Sequence, residues 1–279
     1  MDTKISNQEA FANKVVWITG ASAGIGEEMA VAFARSGSKL VLSARNSAQL
    51  ERVEKRCYEA GADRESVLVM PLDVVDLDAM PGAVDKVMEA YSRIDLLINN
   101  AGVGVRDFCT EVKLDLYRTA LEVNLICPIA LTKQVLPIMI KQGSGHIAGT
   151  SSVAGKVGIP LRTAYCAAKF GLIGFLDALR AEVAYHGIKV STIIPGLVKT
   201  GAVANAMTGD GSVIGAEEGV MTEGLTAEEA AAAILPQLAC HADEFVIGNC
   251  DSSKMVELKR NNPIQIFRGL EQMAESLYS

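Results

Sequence analysis

Short apolar, β-branched runs alternate with longer stretches of helical periodicity along almost the whole chain. The runs Val15–Thr19, Lys39–Ser43, Val67–Met70, Asp95–Asn99, Gly145–Ser151, Lys189–Ile194 and Glu244–Ile247 predict seven strands. Most are apolar without a break, the pattern of a strand covered on both faces. Between them, Ile25–Ser36, Ala48–Ala60, Asp76–Ser92, Leu114–Ile140 and Thr163–Tyr185 carry apolar residues at helical spacing. Alternating strands and helices require right-handed crossovers and build a parallel sheet with helices on both faces. The expected fold is therefore α/β and doubly wound, with a seven-stranded parallel sheet. Gly201–Gly224 breaks the rhythm: it is rich in Gly, Ala and Met, with no strand or long helix. A loop of that length inside a compact domain is usually functional or mobile. Ser253–Ser279 reads as a helical extension with a break at Pro263.

Composition narrows the class. The chain has 279 residues, 49% hydrophobic and 21% charged. These are ordinary globular values, which excludes disorder, collagen and coiled coil. Basic and acidic residues number 26 and 33, a net charge of −7. That balance disfavours nucleic acid or an anionic membrane as the main partner. No unbroken apolar run approaches the roughly 20 residues of a membrane span. Met1–Lys14 is polar and lacks a signal-peptide core. The expectation is a cytoplasmic protein with no membrane span. Cys57, Cys109, Cys127, Cys166, Cys240 and Cys250 form no CxxC pair, and His146, His186 and His241 lie far apart in sequence. Free thiols in a reducing compartment and no metal site are expected.

Two places carry chemistry. Val15–Thr19 runs into Gly20-Ala21-Ser22-Ala23-Gly24-Ile25-Gly26 and then a helix. Glycines let the backbone approach a pyrophosphate, and the helix N-terminus offers unpaired N–H groups and a positive dipole end. At the end of the second strand, an acid would bind the adenosine ribose of NAD, whereas an Arg would pair with the 2′-phosphate of NADP. The chain reads Ser43-Ala44-Arg45-Asn46, which points to NADP(H). The second place is Tyr165-Cys-Ala-Ala-Lys169, one helical turn from Tyr to Lys. An ammonium beside a phenol lowers its pKa and suits it to general acid–base work. Gly149–Gly155, with Ser152, lies at the end of the fifth strand, where open parallel sheets bind ligands.

Together these residues resemble the short-chain dehydrogenase/reductase family, of the NADP-preferring, hydroxysteroid-dehydrogenase-like type. Gly20, Gly24 and Gly26 match its cofactor motif, Asn99-Asn100-Ala101-Gly102 its element after the fourth strand, and Pro195-Gly196-Leu197-Val198-Lys199-Thr200 its element after the sixth. Ser152, Tyr165 and Lys169 match the catalytic set, with thirteen residues from Ser to Tyr and four from Tyr to Lys, and Asn124 matches the fourth member. The resemblance spans roughly residues 12 to 250 with the motifs in order. It implies one Rossmann domain over residues 1–252, with a substrate loop near 201–224 and residues 253–279 as its helical extension.

The resemblance further implies hydride transfer between NADP(H) and a carbonyl or secondary alcohol. Tyr165 would be general acid or base, Ser152 a second donor to the substrate oxygen, and Lys169 the group that tunes Tyr165 and holds the nicotinamide ribose. Asn124 would position a water linking Lys169 to solvent. Ser22, Ala23, Ile25 and the loop glycines would cradle the pyrophosphate. Arg45 would meet the 2′-phosphate, with Ser22 and Ser43 near it, and Asp73 and Val74 the adenine. Asn100, Ala101 and Gly102 would line the adenosine ribose. Pro195, Gly196, Val198 and Thr200 would lie near the nicotinamide. Ala23 stands where many NADP-dependent members carry a basic residue. Val103, Val105, Phe108, Val157, Ile159, Leu161, Val203 and Met207 are candidates for an apolar pocket, which suits an apolar carbonyl or alcohol substrate. A 3-oxoacyl-type reductase is the alternative, suggested by a basic rim of Arg106, Lys156, Arg162 and Lys199. A non-catalytic NADPH-binding protein would be expected to lack Tyr165 or Lys169. Relatives pair their long helices into homodimers or homotetramers; here Gly171, Gly174 and Ala178 are small residues suited to such an approach.

Overall fold

The structure, a computed structural model, describes residues 6–215 and 223–278. After a short helix α1 (Asn7–Phe11), β1 (Val15–Thr19) leads into α2 (Gly24–Arg35), β2 (Lys39–Ala44), α3 (Ser47–Glu59), β3 (Val67–Pro71), α4 (Met80–Tyr91) and β4 (Leu96–Asn99). Next come α5 (Leu114–Leu121), α6 (Cys127–Gln142), β5 (Gly145–Thr150), α7 (Thr163–Val183) and β6 (Ile188–Pro195). The short β7 (Val198–Lys199) and β8 (Leu225–Thr226) precede α8 (Ala227–Ala239), β9 (Glu244–Ile247), α9 (Cys250–Asn261) and α10 (Pro263–Tyr278). The main sheet has seven parallel strands in the order β3-β2-β1-β4-β5-β6-β9. This is the doubly wound Rossmann arrangement, and its strand order reverses between β1 and β4.

Alternation along the strands builds a core on each face. Val16, Ile18, Leu40 and Leu42 point to one face, packed by Met29 and Phe33 of α2 and Ile234 and Leu238 of α8. Val15, Trp17, Val41 and Leu97 point to the other, packed by Leu131, Val135 and Met139 of α6 and Leu176 of α7. Trp17 is fully buried, and its indole N–H donates to Ser43 Oγ at 2.9 Å. Ser43 therefore satisfies a core donor and is not part of a phosphate site. Without it the indole N–H would be left unpaired, which costs about 1–3 kcal/mol.

Two predicted helices are modified locally. The segment from Asp76 begins as a single tight turn, Leu77–Ala79, and becomes α-helical at Met80. Asp76 accepts from the Ala79 amide, and Pro81 sits in the first α turn, where its missing N–H does no harm. The long helix is interrupted by a π turn at Glu122–Ile126. Its whole span, Leu114–Gln142, has a mean hydropathy of 1.6 in its most apolar window. By length and composition alone this helix could cross a membrane, although no unbroken apolar run in the sequence shows it. In the fold it presses Leu131, Val135 and Met139 against the sheet.

The Gly201–Gly224 stretch is anchored at both ends by the parallel pair β7–β8, Val198 opposite Leu225 and Lys199 opposite Thr226. Its first half bridges Met207 to Val105 and to Val213; residues 216–222 lie outside the described residues. The C-terminal extension lies in α9 and α10 and packs against the segment after β5 and the end of β6. Ile266 of α10 packs with Val153, Val157 and Ile194, and Tyr278 stacks on Phe108 with ring centres 4.4 Å apart.

Candidate active site

The turn between β1 and α2 closes only because of its glycines. Gly20 and Gly24 have φ of +66° and +59°, a region that L side chains rarely adopt. A Cβ on Gly26 would lie 2.2 Å from the Gly20 carbonyl oxygen. Thr19 Oγ1 accepts from the amides of Asn100 (3.0 Å) and Ala101 (3.1 Å), and Asn100 Nδ2 donates to the Thr19 and Gly20 carbonyls at 3.1 and 3.3 Å. The loops after β1 and β4 are thus tied together where the strand order reverses. A Cβ on Gly24 would touch the Thr200 side chain at 3.2 Å, so the segment after β6 reaches the same place. An open hollow of about 190 Å3 here is lined by Thr19, Val74, Asn99, Ala101, Val123 and Cys127 among others. The N-cap of α2, Ala23, makes no side-chain cap, which leaves the amides of Gly24, Ile25 and Gly26 for a ligand. This backbone cradle fits the pyrophosphate of a dinucleotide.

The predicted cofactor residues divide in the structure. Gly20, Ser22, Ala23, Gly24, Ile25, Gly26, Ala101 and Thr200 gather at the cradle. Asp73 and Val74 follow β3 and are half-buried. Asn100 holds the loops together with its side chain. Pro195 ends β6; Gly196 faces α9, where a Cβ would collide with the Ser252 hydroxyl at 2.0 Å, so its smallness serves packing. Val198 is buried in β7. Arg45 is exposed and has no hydrogen bond or ion pair among the described residues.

A second guanidinium near the cradle went unnoticed in the sequence. Arg52 of α3 donates to both Glu27 oxygens, at 2.5 and 2.6 Å, and to the Ser22 carbonyl at 3.2 Å. Arg56 also bonds Glu27, and Glu28 at 2.7 Å. Burial pushes the Glu27 carboxyl up, but hydrogen bonds from Arg52 and Arg56 outweigh it and hold it below the usual range. Only the approach of α3 to α2 creates this network; no motif spacing signals it.

The catalytic candidates converge past the ends of β4 and β5. Lys169 is only 3% exposed, and its Nζ donates to the Thr150 carbonyl at 2.8 Å. A Cβ on Gly102 would lie 2.8 Å from Asn124 Oδ1 and 3.6 Å from Lys169 Nζ. Gly102 is therefore the gap across which Asn124 and Lys169 face one another. Asn124 Nδ2 donates to Val103 and Ala120 carbonyls, both at 2.9 Å, and its Oδ1 accepts from the Val103 amide at 3.2 Å. Its side chain thus fastens the loop after β4. The π turn around it fits a functional distortion. Residue 128 is Pro, so no amide four residues on can close upon the Asn124 carbonyl. The Thr150 hydroxyl is buried with no partner among the described residues, a polar atom suited to a bound ligand or water.

The charge balance at Tyr165 differs from the sequence expectation. Burial pushes its phenol above the ordinary value, while the Ser152 hydroxyl and then the Arg162 cation pull against it. Lys169 is not the cation acting here: its Nζ is aimed at Thr150 and stands 5.6 Å from the Tyr165 ring centre. Burial lowers Lys169 to about 8.

Of the pocket candidates, Val105 and Val157 are core residues, 1% and 0% exposed. Ile159 packs against the cluster containing Val157. Leu161 has φ of +63° and accepts from the Asp107 amide at 2.9 Å. Val103, Phe108, Val203 and Met207 are half-buried around the loop. The basic rim is smaller than expected, because Lys156 pairs with Glu244 at 2.6 Å. Gly171 faces Leu125 of its own chain, which explains its size without a partner copy.

A cradle suited to a dinucleotide thus lies at the switch point of a doubly wound sheet, with Ser152, Tyr165 and Lys169 past the strand ends. The family model for short chain dehydrogenases matches residues 14–211, and the chain belongs to that family. Residues of this chain are 45% identical over 198 positions to human "Dehydrogenase/reductase SDR family member 7", covering 70% of this chain and 58% of the human one. The chain thus spans less than two thirds of that relative. A Drosophila melanogaster "Dehydrogenase/reductase SDR family protein 7-like" is 38% identical over 255 residues, 91% of this chain and 78% of the other. A short chain dehydrogenase/reductase from Burkholderia phymatum in complex with NAD superposes with a TM-score of 0.80 at 25% identity, covering 91% and 95% of the two chains. A metagenomic short-chain oxidoreductase in complex with NADP gives 0.69 at 29% identity, covering 85% and 98%.

Proposed function

We propose that the protein is an NADP(H)-dependent reductase or dehydrogenase acting on a carbonyl or secondary alcohol. The observation that carries this reading is the convergence of Tyr165, Ser152, Lys169 and Asn124 beside the glycine cradle. The bound nicotinamide supplies or accepts the hydride. Tyr165 hydrogen-bonds the substrate oxygen and gives it the proton in reduction. Ser152 donates a second hydrogen bond as negative charge develops on that oxygen. Lys169 holds a proton at Nζ in a dry site, and the Asn124 carbonyl receives the water that relays it. A non-catalytic role would leave the buried Lys169 ammonium without a purpose that offsets its desolvation.

NADP(H) is favoured by Arg45, whose guanidinium is exposed and has no partner among the described residues, and by the absence of any acid at the end of β2. The test is kinetic: kcat/KM with NADPH should exceed that with NADH, and Arg45→Ala should lower the first and spare the second. Equal values with both cofactors would remove the NADP reading. A broad carbonyl panel with NADPH, repeated with Tyr165→Phe, tests the reaction itself. The 3-oxoacyl-type alternative loses support once Lys156 is occupied by Glu244. The same proposal extends to a homo-oligomer built on α5–α6 and α7, where Leu114, Ile126 and Phe170 are exposed and Gly174 faces open space. A monomer by light scattering would refute it.

A further inference from the structure

Arg162 stands beside the reacting tyrosine with Arg106 next to it, and neither guanidinium is paired with an acid among the described residues. Arg162 is the residue immediately before α7, three positions ahead of Tyr165. The Asp107 amide donates to the Leu161 carbonyl at 2.9 Å, and the Arg106 amide to the Met207 carbonyl at 2.9 Å. Arg106 and Arg162 therefore leave adjoining stretches of one backbone pairing. Both are half-buried, and neither side chain has a hydrogen bond or ion pair among the described residues. The acid adjacent to Arg106 turns to backbone amides: Asp107 accepts from those of Phe108 and Gly209, each at 2.9 Å. Two neighbouring, half-buried guanidiniums without an ion-pair partner are unfavourable unless a ligand supplies one. The Phe108–Tyr278 stack begins two residues from Arg106 and supplies an apolar wall.

Resting on the carbonyl-reductase reading above, we infer that Arg106 and Arg162 form an anion subsite selecting a carbonyl substrate that carries a carboxylate near its reacting carbon. Guanidiniums match a carboxylate through paired N–H donors. Burial lowers Arg162, and its neighbours Tyr165 and Arg106 act on it in opposite senses. Among the described residues, Tyr165, Cys166 and Arg106 are the titratable groups acting on Arg162. The apolar wall accounts for the remainder of the substrate, so an aromatic or aliphatic oxo acid fits better than a small sugar-like one.

The test compares phenylglyoxylate with its methyl ester as substrates, with NADPH loss as the readout. The ester is intrinsically the more electrophilic ketone, so a preference for the acid must come from the protein. Wild type should favour the acid by about tenfold or more in kcat/KM, the worth of one charge-assisted hydrogen bond. Arg106→Met should raise KM for the acid by a similar factor and leave the ester within about twofold, with Arg106→Lys restoring part of the loss. Arg162→Met should do the same to KM and also lower kcat for both substrates, because it acts on Tyr165. Equal rates for acid and ester in wild type, or parallel losses in Arg106→Met, would overturn the subsite. Calorimetric titration of benzoate into the NADPH-loaded protein separates this inference from the functional reading. Binding that is lost in Arg106→Met upholds the subsite even if no ketone is reduced; no binding to wild type defeats it even if neutral ketones are reduced.

Discussion

His146 lies at the start of β5, at the opposite end of the sheet from Tyr165, and is 4% exposed. Its Nε2 lies 2.8 Å from Ser191 Oγ, which itself donates to the Ala242 carbonyl at 2.6 Å. Ser191 must therefore accept from Nε2–H, which leaves Nδ1 as the unprotonated nitrogen. That Nδ1 faces His241 Nδ1 at 3.4 Å. Burial first, then the neighbouring His241 and Lys189, lower His146 from 6.5 to about 3. Between those values the unfolded chain binds a proton that the native chain refuses, so stability falls as pH falls from about 6.5 to about 3. With those two values, linkage removes roughly 2.5 kcal/mol between pH 7 and 4.5. The perturbation is His146→Leu, which cannot titrate. Urea unfolding of both proteins at pH 7 and 4.5, at one ionic strength, measures it. At pH 7 the variant should be less stable by about 1 kcal/mol, the worth of the Ser191 hydrogen bond. At pH 4.5 it should be the more stable of the two. Parallel losses in both proteins, to within about 0.5 kcal/mol, would show that His146 does not carry acid sensitivity.

Other outcomes follow from the same geometry. Tyr165→Phe should reduce kcat by about 10²–10⁴ while NADPH binding, read by fluorescence, is retained, since only the acid–base group is removed. Gly26→Ala should abolish NADPH binding and lower the thermal midpoint, because its Cβ would meet the Gly20 carbonyl oxygen at 2.2 Å. Lys169 is held at about 8 against 10.5 in the unfolded chain. The unfolded chain binds the extra proton from about pH 8 to 10.5, so stability should rise with pH across that window, by roughly 3 kcal/mol in all. Lys169→Met should lack that rise, be more stable at pH 7, and be inactive. Tyr278→Ala should leave stability nearly unchanged and raise KM for bulky apolar ketones, as the Phe108 stack is lost.

The doubly wound fold was legible in the chain because strands buried on both faces announce themselves as unbroken apolar runs; five of the seven begin at the predicted residue and the other two, β4 and β6, one residue away from it. The glycine turn and the Ser152, Tyr165, Lys169 set were legible for a related reason: their requirements are local, a turn that only glycine closes and one helical turn between two side chains. Relations across elements were not. Ser43 reads as a small hydroxyl at a strand end; only the parallel register that sets Thr19 opposite Ser43 brings Trp17 to it. Lys156 reads as a rim cation until Glu244 is folded beside it. Val157 reads as pocket until α10 covers it. The ammonium of Lys169 turns to Thr150, Arg162 takes the place beside Tyr165, and the π turn aims Asn124 at Gly102, through contacts between residues that no spacing rule links. Sequence periodicity encodes which face of an element is apolar and which residues share a turn. Which side chains from different elements finally meet depends on register, crossover and close packing, and these exist only once the sheet and its helices are assembled.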